Sequence, residues 1–138
     1  MELQVGVKVL LRNPEGRFLL LQRSSEKYPD IPESERWDIV GGRIEPGSTL
    51  LENLEREIME ETGLKLHKKP KVIGAQDIFA ANRRHIVRIT YLGETVGGEV
   101  RLDEDQTAYK WLNLKEIKDF QGLDAYVKEL LSSNVLDS

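Results

Sequence analysis

Three glutamates, Glu57, Glu60 and Glu61, stand at i, i+3 and i+4 in a stretch whose pattern predicts a helix. At about 100° per residue they share one sector of that helix, roughly 100° wide. A solvated acidic face would place them opposite the apolar stripe. Leu50, Leu51, Leu54 and Ile58 define that stripe, and a helical wheel puts Glu61 inside it, Glu57 on its border and Glu60 about 60° beyond Glu57. Carboxylates turned inward repel one another and resist desolvation, so such a cluster calls for a cation. Ligation by oxygen alone favours a hard ion, Mg²⁺ or Mn²⁺, over zinc. Such an ion implies a phosphate-bearing substrate, because it makes bound water a better nucleophile and offsets charge on phosphoryl oxygens. Structural Ca²⁺ binding meets the same charge requirement. Arg56 points about 100° away from Glu57 and is expected to brace a loop.

The elements that must carry this cluster are legible in outline. Val5, Val7 and Val9 alternate with Gly6 and Lys8 as a strand with one buried face, and Asn13-Pro14-Glu15-Gly16 turns it into a fully buried strand at 18–21, together a β-hairpin. Residues 24–36 read as a long polar loop, either a lid or simply solvated. A short strand at 37–40 ends at Gly41-Gly42, and Thr49 with Glu52 forms a capping box for a helix over 49–62, ended by Gly63. Ser48 is an alternative cap. Strands follow at 72–79, 85–92 and 109–112. Asn113 opens a short helix, and Asp124 caps a last one with Ala125, Val127, Leu130 and Leu131 inside. Strands mixed with three helices predict an α/β fold, a sheet sandwiched between helices, in a single domain over 1–138.

Composition removes several alternatives. There is no cysteine in the 138 residues, which excludes disulfides, thiolate zinc sites and cysteine nucleophiles. The 20 basic and 24 acidic side chains leave a net charge of −4 with no Lys/Arg block, so a nucleic-acid backbone binder is not expected. The longest apolar run, Phe18-Leu19-Leu20-Leu21, is far short of the roughly 20 residues that cross a bilayer. Met1-Glu2-Leu3-Gln4 lacks the basic start of a secretory signal. A cytoplasmic protein without membrane association is the expectation.

One stretch matches a known pattern: Gly42, five residues, Ser48, seven residues, then Arg56-Glu57-Ile58-Met59-Glu60-Glu61-Thr62-Gly63-Leu64. It resembles the Nudix box, with eight of the nine specified positions filled and Ser48 standing where the family has Glu. The flanks, Leu19-Leu20-Leu21-Gln22-Arg23 and Trp111-Leu112, extend the resemblance over most of the chain. The resemblance to the MutT-like Nudix hydrolases implies an α/β/α sandwich with a mixed sheet. It also implies hydrolysis of the diphosphate linkage in a nucleoside diphosphate joined to another moiety. By position, Glu57, Glu60 and Glu61 and the Gly41 carbonyl would hold magnesium, with Glu57 also a candidate base and Arg56 structural. Ser48 binds a divalent ion more weakly than Glu would, and Glu45 is the nearest substitute.

Outside the box, Arg23 and Arg43 are candidate phosphate contacts. The resemblance places a further acidic ligand or base in Asp103-Glu104-Asp105, Asp105 first and then Glu104. Tyr28, Trp37 and Phe79 are candidates to stack on a base, although Trp37 and Phe79 fit a core better. Arg83, Arg84 and His85 offer a phosphate contact or a solvated turn, and His67 lies in a basic surface stretch. The marks of ADP-ribose or dinucleoside polyphosphate specificity are not evident, since Ala80, Ala81 and Asn82 occupy that stretch, which leaves nucleoside triphosphates and nucleotide sugars. An isopentenyl diphosphate isomerase is disfavoured by the missing cysteine. A nucleotide-binding module without turnover is the second reading, and a homodimer is left open.

Overall fold

The computed structural model describes residues 1–133, 135 and 136. Its centre is β1 (Glu2–Arg12), which runs parallel to β6 (Arg84–Glu94) on one side and antiparallel to β4 (Val40–Arg43) on the other. β5 (His67–Ala80) closes one edge against β6. β2 (Phe18–Arg23) pairs with β3 (Trp37–Asp38) and with β7 (Gln106–Leu112), so the seven strands form one mixed sheet. The expected hairpin exists in connectivity, but β1 and β2 share only the pair Arg12 with Phe18. The two strands diverge because each has other partners, β6 and β4 for the first, β7 and β3 for the second.

Alternation along the strands feeds two cores, one on each sheet face. Val7, Val9, Leu11, Leu19 and Leu21 pack with Leu54 and Ile58 of α1 (Leu50–Thr62). Leu10, Phe18 and Leu20 face Ile117 of α2 (Leu114–Lys118) and Val127 and Leu131 of α3 (Ala125–Ser132). This is the α/β/α arrangement read from the sequence. Buried on both faces, Phe18–Leu21 has no solvent side, which is why it shows no alternation.

α1 starts where the capping box predicts, with the Thr49 hydroxyl accepting from the Glu52 amide and the Glu52 carboxylate accepting from the Thr49 amide. Gly63, at φ 73°, ends it, and its amide donates to the Met59 carbonyl. The buried stripe is shifted from the expected one: Leu50 and Leu51 are 37% exposed, while Asn53, Leu54, Ile58, Glu61 and Thr62 are buried. The first turn overhangs the sheet. Ala125 likewise faces solvent, because α3 seats only Val127, Leu130 and Leu131.

Leu54→Ala is expected to destabilise the protein by about 2–5 kcal/mol in denaturant unfolding, since it empties a fully buried position. The same change at Leu50 should cost under about 1 kcal/mol, and equal losses would contradict this assignment of the stripe.

Candidate functional site

The sheet edge and α1 meet at Gly41 and Gly42 of β4. Gly41 has φ 145°, and a Cβ there would lie 2.1 Å from the Val7 carbonyl oxygen, so no other residue fits the backbone. A Cβ on Gly42 would lie 2.7 Å from a Glu57 carboxylate oxygen. The bare strand therefore lets α1 bring its acidic side chains against the backbone. Loop 43–49 is locked to the helix by Asn53, whose carboxamide accepts from the Glu45 amide and donates to the Ser48 and Thr49 carbonyls.

The three glutamates lie as the wheel predicts. Glu61 is buried, the Glu57 side chain is 13% exposed, and that of Glu60 is 56% exposed. Glu61 accepts from the Gly41 amide at 3.4 Å and shares a hydrogen bond with Glu57. Burial, then the hydrogen bond and charge of Glu57, push its carboxyl up to about 9, against the pull of Lys8. Arg56 does more than brace a loop. It donates to the Arg43 carbonyl and to Asn53, and it also pairs with Glu57 at 3.0 Å, Glu60 at 3.5 Å and Glu45 at 3.7 Å. Its long side chain curls back over the helix surface, which a wheel of Cβ directions does not capture.

Gly41, Gly42 and the three glutamates line a cavity of about 780 Å³ shared with Arg23, Arg43, Tyr28, Arg84, Arg88, Asp103 and Asp105. Both candidate phosphate contacts, Arg23 and Arg43, therefore reach the same space as the glutamates. Asp105 reaches it too, while Glu104 is 81% exposed and pairs with Lys27. Burial pushes the Asp103 carboxyl up, against the hydrogen bond it accepts from the Asp105 amide. Of the aromatic candidates only Tyr28 lines the cavity. Phe79 is 67% exposed and stacks on His85, and Trp37 packs edge-on against Phe120. Neither is available to a ligand there, and Phe79 is not core.

A second charged cluster forms the rest of the wall. Asp38 is buried and accepts from Lys8 at 3.0 Å, Arg88 at 3.0 Å, the Ile39 amide at 2.7 Å and Arg23. Burial would raise its carboxyl, but the three cations hold it well below the usual carboxylate range. Arg88 continues to Asp124 at 3.2 Å, whose side chain also caps α3. Lys8 and Arg88 occupy inward positions of otherwise apolar strands, where hydrophobic patterning alone gives no role to a charge. Arg36, also buried, donates to the carbonyls of Arg23, Tyr28 and Ile31 and so gathers loop 24–36 over the cavity.

Among the described residues no three His, Asp or Glu side chains already surround a metal-sized point. The donor set nevertheless suits a hard cation. Glu57 and Glu61 are close enough to share a hydrogen bond, and the Gly41 carbonyl lies within 3.4 Å of the Lys8 ammonium.

The NUDIX domain profile matches residues 2–131. The chain belongs to the Nudix family. A protein of Bacillus subtilis (strain 168), provisionally named an 8-oxo-dGTP diphosphatase, is 31% identical over 109 residues, 78% of this chain and 65% of its own length. The asymmetrical bis(5'-nucleosyl)-tetraphosphatase of Mus musculus is 29% identical over 85% of this chain and 80% of its own. The matched part of this Nudix chain thus spans just under two thirds of the Bacillus relative. The crystal structure of a MutT protein from Methanosarcina mazei Go1 superposes with a TM-score of 0.80 at 28% identity, covering 99% of this chain and 95% of that one. No helix among the described residues is long and apolar enough to cross a membrane.

Two outcomes test this geometry. A carboxyl with an ordinary value near 4.5 that is raised to about 9 on folding favours the native state fully below 4.5 and loses that advantage as pH climbs to 9. In metal-free protein, the melting temperature of Glu61→Gln relative to the parent should therefore rise between pH 5 and pH 9, and a constant difference would contradict the burial of a charge-bearing group. Gly42→Ala should displace only the flexible Glu57 carboxylate, whereas Gly41→Ala meets backbone and should be the more destabilising by more than about 1 kcal/mol in urea unfolding.

Proposed function

We propose that the protein is a metal-dependent hydrolase that cleaves a diphosphate linkage in a nucleoside diphosphate joined to another moiety, a nucleoside triphosphate or nucleotide sugar, by water attack at phosphorus. The observation that carries this reading is the meeting of the Glu57–Glu61 pair with the Gly41 backbone in one cavity that also holds guanidinium groups. The names of the relatives support a phosphoanhydride substrate, since each denotes a diphosphatase or a tetraphosphatase.

Glu57, Glu61 and the Gly41 carbonyl would hold Mg²⁺ or Mn²⁺, joined by Glu60 from the rim. When bound, the ions supply charge to offset the phosphoryl oxygens and the leaving group and make water more acidic. The remaining work belongs to the chain. Arg23 and Arg43 bind phosphate oxygens, and loop 24–36, gathered by Arg36, limits water on that side of the cavity. Glu57 or Asp105 takes the proton from the attacking water. Arg56, paired with Glu57 at 3.0 Å, holds that carboxylate in place.

Ser48 favours one alternative, a nucleotide-binding module without turnover. It is exposed, and only its backbone carbonyl engages α1. A cytoplasmic location and the absence of nucleic-acid substrates belong to the same proposal. The second needs its own control, because an NAD-capped RNA hydrolase of Actinobacillus succinogenes is 31% identical over 66% of this chain.

The test is a panel of nucleoside triphosphates, nucleotide sugars, dinucleotides and NAD-capped RNA with Mg²⁺ or Mn²⁺, scored for phosphate or pyrophosphate release. Turnover of at least one phosphoanhydride, reduced about 100-fold or more by Glu61→Gln, is expected. Binding without turnover across the whole panel would instead establish the module.

A further inference from the structure

The cluster around Asp38 holds three cations, Lys8, Arg23 and Arg88, against two carboxylates, Asp38 and Asp124. One positive charge is left over in a largely buried web. Its location follows from counting donors. Lys8 has three, and they meet Asp38, the Ile39 carbonyl and the Gly41 carbonyl. Arg88 places one terminal nitrogen on each carboxylate, and its Nε is buried without a partner. Arg23 differs. Only its Nη2 is engaged, with Asp38 and at longer range with Asp124. Among the described residues its Nη1 and Nε have no acceptor, and the side chain lines the cavity.

We propose that Asp38 is a positioning residue that acts through Arg23: it grips one edge of the guanidinium so that the other edge presents fixed donors to a phosphate oxygen of the substrate. This rests on the hydrolase reading for the identity of the anion, and it deepens that reading by assigning a buried carboxylate outside the acidic pair to substrate binding. Three features make the grip effective. Arg23 ends β2, where the register with β7 shifts between Gln22 and Arg23, so the strand alone does not fix the side chain. Asp38 lies on β3, whose pairing with β2 places Asp38 opposite Leu21. Arg88 ties Asp38 to Asp124 at the start of α3, so the carboxylate is held from the far side and does not follow Arg23 into solvent. Lys8 joins this web to the Gly41 carbonyl, so its donors are spent inside the wall and are not free for the substrate. The excess charge thus faces the cavity as a preformed anion contact.

The experiment is a double-mutant cycle on the full chain with Asp38→Asn, Arg23→Gln and the pair, read by calorimetric binding of ADP in the presence of Mg²⁺ and by kcat and KM on whichever substrate the panel identifies. Each single change should weaken ADP binding about tenfold and raise KM more than it lowers kcat, and the double variant should bind within about twofold of Arg23→Gln alone. If Asp38→Asn does not fold, Arg23→Lys takes its place. A lysine at this position has a point charge on a flexible stem in place of a planar fork, so it presents no fixed pair of donors to the phosphate and should lose the same factor. Asp38→Asn that lowers thermal stability but leaves ADP binding within twofold of the parent overturns the proposal. So do multiplicative effects in the cycle, native affinity in Arg23→Lys, or a parent protein that binds neither ADP nor inorganic pyrophosphate. Because binding is read without turnover, ADP binding that responds as expected in a protein with no hydrolysis would sink the hydrolase reading and leave the role of Asp38 standing.

Discussion

Two carboxylates held together at the edge of a hydrophobic core are the constraint around which this protein is organised. Glu61 belongs to the same buried stripe of α1 as Leu54 and Ile58, so the packing that stabilises the helix against the sheet also drives a charge-bearing group out of water. Glu57, one turn earlier, shares its hydrogen bond, so the two carboxyls face each other on the helix side turned to the sheet. Such an arrangement is costly unless something positive stands beside it. The chain offers partial answers from two directions, Arg56 from the surface and Lys8 from the sheet. Both are monovalent, and both are already shared with other carboxylates.

The backbone follows from this need. β4 carries two consecutive glycines for two reasons: at Gly42 a side chain would strike the Glu57 carboxylate of α1, and at Gly41 it would strike the backbone of β1 at Val7 and Lys8. The capping box and the Asn53 clasp fix the start of the helix and the loop before it, and the Gly63 turn fixes its end, so the acidic face has one position along its axis. The charge then organises the rest of the wall. A cavity lined by both carboxylates and guanidinium groups suits a ligand that carries negative charge together with its own counterions.

The sequence disclosed the helix and the orientation of its glutamates because both depend on local spacing, which survives into the fold unchanged. Glu61 in, Glu57 at the border and Glu60 out is a statement about 3.6-residue geometry. Layer order was also legible, since three separated helices and several strands admit few arrangements. What the sequence concealed was non-local. Asp38 looked like one polar residue beside Trp37, Lys8 like the outward member of an alternating strand, and Asp124 like a helix cap. Their mutual pairing arises only when β1, β2, β3, β6 and the start of α3 converge, and their sequence separations reach 36 and 50 residues. Arg56 and the first turn of α1 were misread for a simpler reason: a wheel reports direction but not how far a long side chain reaches, nor where a helix runs past the sheet it covers.

The most direct measurement is a titration of Mn²⁺ into the protein, followed by loss of the free-ion paramagnetic signal, for the parent and for Glu61→Gln side by side at neutral pH. The account predicts saturable binding to the parent and at least about tenfold weaker binding to the variant. Equal affinity in the two proteins, or no binding to the parent at all, would contradict it.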